Sequence, residues 1–114
     1  MKVLVDDLAK QHLTDIYYYN YQYSLQNAIE TNKNIIAHIH NLGYFPYIGR
    51  YIPEMSDKRF REIIYRKNRH FGYRIMYYIS ENSNTIYIIS IITSKQDFKR
   101  ILKLHNYFRN YFNF

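Results

Sequence analysis

At 114 residues, 47% of them apolar and 19% aromatic, the chain carries enough hydrophobic surface for one compact core and too little length for a second. Cysteine is absent, which excludes a disulfide framework, a thiolate metal site and a cysteine nucleophile. The net charge of +7 is uneven: residues 1–57 hold four Lys/Arg against six Asp/Glu and residues 58–114 hold twelve against three, a distribution that favours a polyanionic partner, either nucleic acid or an acidic protein segment.

Residues 2–5 (Lys-Val-Leu-Val) predict a short strand, and the Asp6-Asp7 pair that follows makes the apolar opening too short for the core of an export signal. Ala9, Leu13, Ile16, Asn20 and Tyr23 then recur at steps of four, three, four and three, one stripe of a first helix in which Asn20 is the weak member. A polar joint over 21–24 separates it from a second helix with the same periodicity at Ala28, Ile35, Ile39 and Leu42. Gly43 stops that helix and Pro46 prevents its resumption, so the two helices form an antiparallel hairpin. Gly49 and Pro53 mark an irregular connection towards a sheet.

Three segments rich in β-branched and aromatic residues follow, at 61–65, 72–79 and 85–92. The polar breaks between them are short enough for hairpin loops, so the strands form an antiparallel meander. The longest apolar run, Ile86 to Ile92, is interrupted by Ser90 and falls far short of the ~20 residues of a membrane helix. No membrane partner is expected, and the expected address is cytoplasmic. Beyond Gln96, apolar residues at Phe98, Ile101, Leu102, Tyr107 and Phe108 predict a terminal amphipathic helix over 98–114 with an aromatic end free to fray. The fold class is α+β, one domain over 1–114: an N-terminal strand and a helical hairpin packed on an antiparallel sheet, with a C-terminal helix.

The fifteen tyrosines resemble a base-stacking surface, but Ile, Asn, Lys and Tyr are abundant together, as AT-rich coding sequence alone produces. Tyrosine therefore reads as general filler of core and surface. His38 and His40, two apart on a helix, project about 200° apart and do not make a metal pair. No phosphate-binding glycine loop or zinc signature is present, and no metal, cofactor or small-molecule cofactor partner is expected.

The order of these elements and several short motifs resemble the RelE/ParE superfamily of type II toxin–antitoxin toxins. Ala9, Leu13, Ile16 and Tyr17 match the family's first helix; Leu42, Pro46, Gly49 and Arg50, followed by Pro53-Glu54, match its connection. Arg61-Glu62 opens the next strand, Gly72-Tyr73-Arg74-Ile75-Met76-Tyr77 matches the central one, and Ile88 to Asp97 the last strand and its loop. The likeness spans about residues 3 to 102. It implies a toxin that arrests growth and is neutralised by a cognate antitoxin, acting either by ParE-like inhibition of DNA gyrase or by RelE-like ribosome-dependent cleavage of mRNA. The alternatives are a non-toxic relative that retains only antitoxin binding, and a basic RNA-binding module.

Metal-free RNA cleavage requires a base for the 2′-hydroxyl, cations for the charge developing on phosphate, and an acid for the leaving oxygen. Strand alternation puts Arg74 opposite Tyr73 and Ile75; Arg61 on the adjacent strand is expected to share its face and, with Lys95 of the final loop, to complete a three-cation catalytic cradle. Lys58, Arg59, Arg66, Lys67, Arg69 and Tyr65 are the expected contacts to RNA or antitoxin. The catalytic set is incomplete by the standard of the resemblance. Ile63 stands where RelE-like ribonucleases often place a second basic group, and Thr93 where many members have histidine.

Overall fold

The computed structural model describes residues 1–95 and 98–112. Strand β1 (Lys2–Val5) leads into helix α1 (Asp7–Tyr21), and α2 (Leu25–Leu42) returns against it. Both helices start on a side-chain cap: Asp6 accepts from the Leu8 amide and Ser24 from the Asn27 amide, satisfying donors that a first helical turn leaves unpaired. Helix α2 ends at Leu42 with Gly43 as its cap, as its spacing predicts, although Gly43 remains right-handed at φ −60°. Strands β2 (Arg50–Tyr51), β3 (Phe60–Arg66), β4 (Gly72–Ser80) and β5 (Thr85–Thr93) follow, then helix α3 (Phe98–Tyr111).

The five strands lie in the order β1-β5-β4-β3-β2. From β2 to β5 the neighbours are antiparallel, whereas β1 runs parallel to β5, so the sheet is mixed rather than wholly antiparallel. One face presents Tyr65, Tyr73, Ile75, Tyr77, Ile86 and Ile88 to the α1–α2 hairpin, whose Ala9, Ile16, Ile35, Ile39 and Leu42 complete a first core. The other face joins Phe60, Met76, Ile89 and Ile92 to Ile52 and Met55 and to Ile101, Leu104 and Phe108 of α3. A bulge makes the two faces compatible: Met76 pairs with Ser90 and Tyr77 with Ile88, so Ile89 is the extra residue and turns to the α3 side.

Three expectations about helix faces change. Tyr23 lies past the end of α1 and is 69% exposed. Asn20, the weak member of that stripe, is buried, and so is His12, which extends the stripe between Ala9 and Ile16. On α3 the buried residues are Ile101, Leu104 and Phe108, while Phe98, Leu102 and Tyr107 point outward. Near the C-terminal end the Phe112 ring lies 4.6 Å from Tyr78 and 5.3 Å from Tyr87. Gln96, Asp97, Asn113 and Phe114 lie outside the described residues.

Candidate functional site

Arg74 sits at the centre of β4, level with Ile64 and Ile92, and therefore on the α3 side of the sheet. It is only 5% exposed. Its Nε donates to Glu62 Oε1 at 2.8 Å, and its Nη1 and Nη2 donate to the two Glu54 oxygens at 2.8 and 2.7 Å. Register explains the first bond, since Glu62 is opposite Met76 and Arg74 is its diagonal neighbour across β3 and β4. Arg50, opposite Glu62 across β2 and β3, takes the remaining Glu62 oxygen through Nε at 2.8 Å and Nη2 at 2.7 Å.

Two guanidiniums and two carboxylates thus form a charge-neutral chain, Glu54–Arg74–Glu62–Arg50. Hydrogen bonding to Glu54 first and Glu62 second raises the Arg74 pKa above its ordinary value, and hydrogen bonding to Arg74 in turn holds Glu54 below the usual carboxylate range. Glu62 is fully buried, and its two oxygens are taken by the two arginines, so removing either would leave buried polar surface without its partner.

Arg61 is on the opposite face, level with Tyr77. Its Nη1 donates to the Gly49 carbonyl at 2.8 Å and the Tyr47 carbonyl at 3.4 Å, and its guanidinium stacks 4.5 Å from the Tyr51 ring centre. The Tyr77 hydroxyl accepts from the Gly49 amide at 3.0 Å and donates to the Pro46 carbonyl at 2.8 Å. Arg61 and Tyr77 therefore pin the connection between α2 and β3. The expected cradle does not form, because strand register gives Arg61 and Arg74 opposite faces. Lys95 is exposed in the turn after β5, at the end of the sheet where Ser94 donates to the Gly72 carbonyl.

The other candidates divide between the two ends of the sheet and its core. At the β4–β5 hairpin end, Lys58 and Arg59 flank a shallow depression with Glu81 and Asn82. Arg59 is bound to Asp57 through Nε at 2.9 Å and Nη2 at 2.7 Å, and Asp57 also meets His105 of α3 at 2.8 Å. These bonds, Arg59's the strongest, hold the Asp57 carboxyl well below its ordinary pKa. Tyr65 is a core residue whose hydroxyl accepts from Asn34 at 3.1 Å. Arg66, Lys67 and Arg69 occupy the opposite end, on the β3–β4 hairpin, which brings them to the same end as Lys95.

Lys67 donates to the Asn20 side-chain oxygen, which also accepts from Asn27 at 3.2 Å, while the Asn20 amide donates to the Ile16 carbonyl at 2.8 Å. Burial lowers the Lys67 pKa. Sequence reasoning passed over Glu54 and Glu62 as partners of Arg74, over Arg50 as the second partner of Glu62, and over His12. Two-residue alternation assigns Glu62 away from Arg61, and carrying the register one strand further assigns it to Arg74. His12 was visible in the Ala9, His12, Ile16 spacing.

Among the described residues there is no group of three or more His, Asp or Glu placed to hold a metal ion, and no helix long and apolar enough to cross a membrane. A strand, a helical hairpin, an antiparallel meander and a closing helix, arranged in this α+β order, define the architecture of the RelE/ParE toxins. The family model of the ParE toxin of type II toxin–antitoxin systems (parDE) matches residues 3–98, and the chain belongs to that family. Among solved structures, it is similar to a double-arginine mutant of the E. coli toxin RelE in the free state, with a TM-score of 0.59 over 82% of this chain and 83% of that one. Identity is 15%, so that likeness is one of fold. No curated protein sequence matches the chain.

Proposed function

We propose that the protein arrests growth as the toxin of a toxin–antitoxin pair by binding a protein target, DNA gyrase, in the ParE manner, and that a cognate antitoxin neutralises it. The observation that carries this reading is the engagement of Arg74. Its Nε, Nη1 and Nη2 are bonded to carboxylates, and turning the group towards a phosphate would leave Glu62 buried beside a single arginine. An mRNA nuclease needs cations aimed at the scissile phosphate and a placed proton acceptor. Here Arg61 faces the other way, and Ile63 and Thr93 occupy positions where RelE-like nucleases carry working groups. A binding toxin needs only a stable scaffold and a complementary surface. The antitoxin is expected to present an acidic segment that folds on contact, which makes complex formation weaken as salt is raised.

Induced expression in bacteria tests this, with mapping of mRNA ends and a supercoiling assay using purified gyrase. Growth arrest with intact messages, DNA damage and lost supercoiling is expected. Codon-phased cuts in messages would replace gyrase with the ribosome as target, and normal growth with soluble protein would leave a relative that binds antitoxin alone.

A further inference from the structure

Strand β1 pairs with β5 only as far as Ile88, so the outer edge of β5 beyond it has no strand neighbour among the described residues and is covered instead by α1. There the Ile91 amide donates to His12 Nδ1 at 3.0 Å. A backbone amide can only donate, so Nδ1 is unprotonated and the ring proton of the neutral imidazole sits on Nε2. His12 is nine-tenths buried, and Nε2 meets no acceptor among the described residues. Capping the strand edge accounts for one nitrogen and leaves the other as a fixed donor on the wall of a cavity of about 380 Å³.

Ile16, Tyr19, Phe71 and Tyr73 supply aromatic and aliphatic walls to that cavity, and Asp15 and Arg100 line it as well. We infer that this cavity binds a free nucleotide. A nucleobase combines a flat π-face with donors and acceptors along one edge, which suits aromatic walls together with a His12 donor and an Asp15 acceptor. The phosphate is matched by Arg100, whose charge His12 feels. Burial, reinforced by Arg100 and opposed by Asp15, keeps the His12 pKa below its ordinary value, so Nε2 remains a neutral donor at physiological pH. The volume lies near the lower end of ligand pockets, roughly 300–1,000 Å³, and suits one nucleotide better than a strand. Such a site would give the toxin an effector, whichever target it arrests.

Calorimetric titration of the full chain with GMP, AMP, UMP and inorganic phosphate tests the inference, alongside short RNA and DNA oligonucleotides. Tyr19→Ala and Asp15→Asn alter exposed side chains, and thermal melts verify that both variants fold. The expected result is saturable one-to-one binding of at least one mononucleotide, weakened about tenfold or more by Tyr19→Ala, with a shift of the His12 Nε2 proton resonance on binding. The inference is overturned if no mononucleotide binds, if inorganic phosphate binds as tightly, or if folded Tyr19→Ala binds unchanged. Binding of oligonucleotides without mononucleotides also overturns it and assigns the basic end of the sheet to a nucleic-acid strand.

Discussion

Replacing Arg74 with alanine separates a structural arginine from a catalytic one. The substitution removes three charge-assisted hydrogen bonds and leaves the Glu62 carboxylate, 0% exposed, with Arg50 as its remaining ion-pair partner. Removing one member of a buried ion pair costs about 3–5 kcal/mol. For a domain of this size that lowers the melting temperature by roughly 12–20 °C. The companion variant, Arg74→Met with Glu62→Met, replaces the buried charges by side chains of similar reach. Glu54 and Arg50 are partly exposed and return to water, so stability should recover to within about 1 kcal/mol of wild type. Urea unfolding followed by circular dichroism measures both variants. An Arg74→Ala protein as stable as wild type but no longer toxic would refute the reasoning, because it would make Arg74 a functional cation that the fold can do without.

Gly49→Ala should cost about 1–3 kcal/mol, since its new Cβ would lie 2.5 Å from the Tyr77 hydroxyl and 2.7 Å from the Glu62 carbonyl; a denaturation midpoint unchanged from wild type would contradict this. Phe108→Ala removes a fully buried ring of the α3 core and should cost about 3–5 kcal/mol, with hydrogen exchange rising first along α3. His12 gives a pH signature. Its folded pKa is lowered, mainly by burial, so the unfolded chain takes up a proton near pH 6.5 that the folded chain refuses. The His12 contribution to stability is therefore complete above about pH 6.5 and declines as pH falls below it, and His12→Gln should flatten that part of the stability profile.

The fold was largely legible because its signals are local. Helix periodicity, the stop at Gly43, three β-branched segments and two short polar breaks each act within a few residues, and all of these elements are present. The parallel pairing of β1 was not legible, because four residues carry no mark of which edge they join. The candidate site was less legible for a related reason. Alternation fixes a side chain's face within its own strand, but the relative face of Arg61 and Arg74 depends on the β3–β4 register, which sets Arg61 against Tyr77 and Arg74 against Ile64. A shift of one residue would have put both arginines on the same face. The buried polar residue His12 escaped because a hydrophobic stripe is searched for apolar members, while His12 serves the Ile91 amide that the sheet edge leaves in need of a partner.

Net charge alone misplaces the electrostatic field of this toxin. Two arginines of the strongly basic C-terminal half, Arg59 and Arg74, are held by carboxylates, and Arg61 is spent on backbone carbonyls and aromatic rings. The face around Arg74 is consequently close to neutral and cannot be what draws an anion from a distance. The hairpin carries Arg66, Lys67 and Arg69 to the same end of the sheet as Lys95, and α3 starts there with Lys99. Among the described residues, basic side chains concentrate at that end. An acidic antitoxin segment of the kind proposed above would be steered to that end first, so salt should slow its association far more than it speeds its release.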